Sequence, residues 1–182
     1  MRKLLNQELN RKTVEEFQIS EKFPIVVVLD NVRSLHNVGS VFRTGDAFLV
    51  SEILLCGITG KPPHAEIHKT ALGATETVRW QHFEKTEYAI QYLREKQFKI
   101  FCLEQAEQST FLQNFEPQKE GKYAFVFGHE IRGVDQQIIN LSDGCIEIPQ
   151  FGTKHSFNLS VSAGILLWDY YAKMDKFGAS VK

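Results

Sequence analysis

Three short stretches concentrate the side chains that could do chemistry: Asn37 to Arg43, Gly128-His129-Glu130, and Ser156-Phe157-Asn158. An arginine in the second turn of a helix that follows a strand can grip a phosphate with its planar fork. Glu130 could hold a hydroxyl or a base edge, and Gly128 would let a ligand rest on bare backbone. Gly39 would likewise let a first helical turn approach a ligand. Each residue also has a plainer reading. Arg43 could be a solvent-facing helical arginine paired with Asp46 at i,i+3. Asn37, Ser156 and Asn158 could be helix caps, and Gly128 and Glu130 a turn glycine and a surface glutamate.

Several chemistries lack their residues. There is no GxxxxGK[ST] phosphate loop and no GxGxxG, so an ordinary NTPase or dinucleotide dehydrogenase is unsupported. His64 and His68 stand four apart with Glu66 between them, a weak imitation of a zinc set, and HExxH is absent. No metal is expected. Cys56, Cys102 and Cys145 show no CxxC spacing and none falls in the three stretches. Buried reduced thiols, not a Cys–His nucleophile, are expected.

The elements that must position these residues alternate. Ile25–Leu29 is a continuous apolar run suited to a strand buried on both faces. Further strands are expected at Glu52–Cys56, Thr77–Trp80, Phe98–Leu103, Tyr123–Phe127 and Cys145–Ile148. Helices are expected at Val38–Leu49, Thr86–Lys96, Val134–Leu141 and Leu159–Lys173. This alternation argues α/β, a mainly parallel sheet with helices on both faces. Such sheets bind ligands beyond the carboxyl ends of their strands, and the three polar stretches follow Leu29, Phe127 and Ile148. Ahead of the sheet, Thr13 and Glu16 could form a capping box in a short helical appendage. The last helix is apolar almost all round, with Leu166, Trp168 and Tyr170 expected on an exposed stripe, so a homodimer through this C-terminal helix is expected.

The 182 residues suit one compact domain, with 43% hydrophobic and 24% charged residues. A net charge of −1 leaves room for nucleic acid only through local basic faces such as Lys61–Lys69 and Lys154-His155. No run reaches the ~20 apolar residues of a membrane span. The opening residues carry no signal-peptide core. A cytoplasmic protein without membrane attachment is expected.

Together the three stretches resemble the SpoU branch of the SPOUT RNA methyltransferases. Asn37-Val-Gly-Ser-Val-Phe-Arg43-Thr-Gly-Asp46-Ala-Phe is similar to the family's first motif, N-x-G-x-x-x-R-T-x-D-A-F. Phe127 to Val134 is similar to the second, and Ile148-Pro149 through Ser156-Phe157-Asn158-Leu159-Ser160 to the third. Order and spacing agree over roughly residues 25–172. The resemblance implies a C-terminal trefoil knot (the SPOUT α/β knot), with S-adenosyl-L-methionine held around Leu103, Gly128, Ile148, Ser156 and Phe157. It implies Asn37, Arg43, Glu130, Ser156 and Asn158 as the catalytic set, a homodimer that shares its RNA site, and methyl transfer to a ribose 2′-hydroxyl of tRNA or rRNA. With only about 20 residues ahead of the first strand, tRNA is slightly favoured. Two positions depart from the pattern. Phe157 replaces Leu and keeps an apolar contact. His129 replaces Asn, which could alter how its loop is held or add a titrating group. The competing readings are a base-nitrogen methyltransferase of the same superfamily and a non-catalytic RNA-binding or assembly protein. The expected organisation is an N-terminal helical appendage (1–22), a methyltransferase domain (23–175) and a C-terminal tail (176–182).

Overall fold

The computed structural model describes residues 1–174. The expected tail, 176–182, and residue 175 of the expected domain lie outside the described residues. Seven strands form one sheet: β1 (Phe23–Asp30), β2 (Val50–Cys56), β3 (Trp80–Phe83), β4 (Lys99–Leu103), β5 (Thr110–Phe111), β6 (Tyr123–Phe127) and β7 (Gly144–Glu147). Their order is β3-β2-β1-β6-β4-β7-β5, with every pairing parallel.

The pleat divides β1 between two cores. Ile25, Val27 and Leu29 join one core with α2 (Leu35–Ala47), α3 (Ala65–Ala71) and α7 (Leu159–Lys173). Val26 and Val28 join the other with α5 (Thr86–Glu95) and α6 (Gln136–Leu141). Covered on both sides, this strand can be apolar at every position from Ile25 to Leu29, all of them buried. Two shorter helices complete the set: α1 (Val14–Ile19), started by the Thr13–Glu16 capping box, and α4 (Ala74–Thr77). From α1, Phe17 reaches the first core. All three cysteines are buried and free. Burial pushes the Cys56 thiol up to about 12, with Asp30 adding to it, and burial pushes Cys102 to a similar value.

Four local expectations need correction. The helix expected from Val38 begins at Leu35, because the cap is Ser34, whose hydroxyl accepts the Asn37 amide. Asn37 is therefore not a cap; it sits inside the first turn with its side chain available for other bonds. Thr77–Trp80 is not a strand. Gly73, at φ +90°, opens α4 instead, and the Thr77 hydroxyl bonds the Ala74 carbonyl and Asp46. Extended pairing starts only at Trp80, opposite Ile53. The helix expected from Val134 starts at Gln136, where the Asp135 carboxylate takes the Gln137 amide. On α7, Leu166 and Tyr170 are buried under the sheet face, so the exposed apolar stripe carries Val161 and Trp168 (59% exposed).

Candidate functional site

Strands β6, β4 and β7 are neighbours, so the loops leaving their carboxyl ends converge. They enclose a cavity of about 500 Å³, within the range of small-ligand sites. Leu103, Gly128, Ile148, Ser156 and Phe157, the five residues implied for the cofactor, all line it, as do Glu130 and Asn158.

The polar rim is a chain of hydrogen bonds between the three loops. Asn37 donates from Nδ2 to Glu130 Oε1 at 3.1 Å, and Asn158 donates from Nδ2 to Asn37 Oδ1 at 3.0 Å. Asn158 Oδ1 in turn accepts the Ser160 amide at 2.9 Å, capping α7. Glu130 also accepts the amides of Ser34 (2.9 Å) and Arg33 (3.2 Å). Burial raises the Glu130 carboxyl pKa. The donors from its own backbone, Ser34, Arg33 and Asn37 outweigh burial and hold it below the ordinary glutamate value. The ionised carboxylate thus ties the entrance of α2 to the loop after β6.

Two residues that sequence reasoning missed draw the walls together. Glu104 accepts the Val134 amide through Oε2 and the Gln105 amide through Oε1, both at 2.9 Å. Gln105 donates from Nε2 to the His155 carbonyl at 2.9 Å. A polar pair just past a strand end gives no periodic signal. Ser34 was more legible, since a serine three residues ahead of Asn37 is an ordinary cap.

Gly128 lines the cavity, but its lack of a side chain serves the loop. A Cβ there would stand 2.1 Å from the Gly133 carbonyl carbon and 2.2 Å from the Val134 amide nitrogen. Arg43 is not brought to this site. It is exposed on α2, and among the described residues no hydrogen bond or ion pair engages it, while Asp46 bonds Thr77 instead. The six-residue step from Asn37 to Arg43 carries it about 9 Å along the helix and roughly 120° around it.

His64 caps α3 by accepting the Glu66 amide, and Glu66 is bonded to His36 and Lys69. Among the described residues no group of three or more His, Cys, Asp or Glu is placed to hold a metal ion. No helix among them is long and apolar enough to cross a membrane.

An S-adenosyl cofactor fits the cavity. Leu103, Ile146, Ile148 and Leu159 offer an apolar bed for a base, and Glu104, Glu130 and Glu147 supply carboxylates against a cationic sulfonium and ammonium.

Comparison with known proteins agrees with this geometry. The sequence profile of the SpoU rRNA Methylase family matches residues 24–168. A tRNA (guanosine(18)-2′-O)-methyltransferase of Thermus thermophilus is 29% identical over 171 residues, covering 94% of this chain and 86% of the relative. The AdoMet-bound rRNA methyltransferase of Sinorhizobium meliloti superposes with a TM-score of 0.76 at 25% identity, over 84% of this chain and 57% of that one. The A. aeolicus TrmH/SpoU tRNA modifying enzyme superposes with a TM-score of 0.79 at 23% identity, over 94% and 85% of the two chains.

Proposed function

The chain belongs to the SpoU rRNA methylase family, and from that premise we propose that it transfers a methyl group from S-adenosyl-L-methionine to a ribose 2′-hydroxyl of tRNA or rRNA, with tRNA slightly favoured. The observation that carries this reading is the Glu130–Asn37–Asn158 chain on the rim of the strand-end cavity.

The bound cofactor supplies an electrophilic methyl on a cationic sulfur. Leu103, Gly128, Ile148 and Phe157 hold and orient it. Glu130 stays ionised and fixes Asn37, and Asn37 fixes Asn158, so three loops present one rigid rim to the ribose. Ser156 offers a hydroxyl on the cavity wall. Arg43 grips the phosphate next to the target ribose and steadies the developing oxyanion. A guanidinium is too weak an acid to serve as base, so the 2′-proton goes to a phosphate oxygen or water. Because Arg43 does not line its own chain's cavity, a second copy of the chain supplies it, which makes the homodimer part of this reading. The trefoil threading of the segment after β7 belongs to it too. The Gln105–His155 bond, which lays that segment against the loop after β4, supports it.

The test is incubation of the purified protein with S-adenosyl-L-methionine and either tRNA or ribosomal RNA, followed by nucleoside analysis. A 2′-O-methylated nucleotide that is missing from RNA of a deletion strain and restored in vitro is expected. Base methylation, or no transfer despite cofactor binding, would overturn the reading.

A further inference from the structure

The turn from His129 to Gly133 forms one wall of the cofactor cavity, and it is closed twice by the same residue. The His129 carbonyl accepts the Gly133 amide at 2.8 Å, an isolated antiparallel bridge. The His129 ring accepts the Ile131 amide at Nδ1, at 3.1 Å. A backbone N–H can only donate, so Nδ1 must carry a lone pair and the ring proton must sit on Nε2. Protonating the ring puts two N–H groups against each other, and the turn loses its side-chain tie. Its far side has no slack, because Gly128 already packs directly on Gly133 and Val134.

We propose that His129 is a positioning residue whose neutral, Nε2-protonated ring holds the cofactor wall, so that cofactor affinity is present above the imidazole range and lost as pH falls through it. This rests on the cofactor reading of the cavity. The other titratable or charged groups lining that cavity are Glu130 and Arg132 on the same loop, Glu104 beyond β4, and Glu147 and His155 from β7 and the segment after it. Carboxylates ordinarily titrate near pH 4 and arginine above 12. His155 is the other imidazole among them and serves as the control.

The experiment is calorimetric titration of the full chain with S-adenosylhomocysteine at pH 8 and pH 5.5. Protonation that breaks the tie should weaken wild-type affinity about tenfold between these two pH values. His129→Asn places an amide oxygen within similar reach and accepts at any pH, so it should bind at pH 5.5 about as tightly as at pH 8. His129→Ala lacks the acceptor and should bind weakly at both. A merely structural histidine would not give a pH profile that the amide variant flattens. A flat wild-type profile, a His129→Asn protein that keeps the acid loss, or a His155→Gln protein that removes it would each overturn the inference. Failure of the wild type to bind at pH 8 would instead sink the cofactor reading and this inference with it.

Discussion

Glu130 spends its carboxylate on three donors from the entrance of α2, which leaves little of it to act on substrate and makes it a residue that sets others in place. Arg43 is the opposite case, an exposed guanidinium with no bond among the described residues. If it grips phosphate and oxyanion across a dimer, Arg43→Ala should bind S-adenosylhomocysteine as wild type does and lose about 10²–10³ in methyl-transfer rate. Arg43→Lys keeps the charge without the planar fork and should remain severely impaired. Single-turnover rates beside calorimetry separate these effects, and near-normal transfer by Arg43→Ala would return it to the role of a surface residue. Residue identities were the most legible layer of the sequence, because Asn37, Glu130 and Asn158 stand out by type at strand ends. Their partners were not. Asn37 reads as a cap because asparagine often is one, and only the position of Ser34 shows that the cap was already taken.

Elements were legible where burial imposes a long pattern and illegible where local bonds decide. The apolar run of β1 and the mostly apolar α7 announced themselves. The four-residue α4 and the two-residue β5 are too short to carry a period, and both depend on what lies beside them. At this scale the test is Gly128→Ala. The added methyl meets backbone of the same loop at 2.1 Å, and backbone cannot rotate away as a side chain does. The expected cost is about 1–3 kcal/mol, as for other overpacked sites. A lowered melting temperature together with weakened S-adenosylhomocysteine binding would show it. Unchanged melting with lost binding would instead mean that the ligand, and not the loop, needs the space.

For the whole molecule, the sheet order was beyond the sequence, since adjacency of β6 to both β1 and β4 is a matter of long-range pairing and not of any local signal. The parallel α/β class followed from alternation alone, and α7 also pointed to association. Its exposed face runs through Val161, Gly164, Ile165 and Trp168 over a groove completed by Leu112 and Ile148. A dimer sealed there should be seen at micromolar concentration by light scattering. Trp168→Glu should shift it to monomer and, if the proposed shared site holds, abolish transfer, because each cavity would then lack an Arg43 from the other copy. A wild-type monomer that transfers methyl groups at full rate would contradict the shared site.

The central position of β6 also sets an order of events during synthesis. β1 leaves the ribosome well before Tyr123–Phe127 and β4 shortly before it, yet neither pairs with the other; β6 fills the gap between them. Until it arrives, the nascent chain holds one partial sheet, β3-β2-β1, with an open apolar edge, β4 has no partner, and the cavity lacks the wall that follows β6. Closure is therefore a late, non-local step of the kind that slows folding and invites association. A stalled chain ending before residue 123 should be protease-sensitive and prone to aggregate, whereas one released beyond α7 should acquire protection of β1, β4 and β6 together, as hydrogen exchange would record.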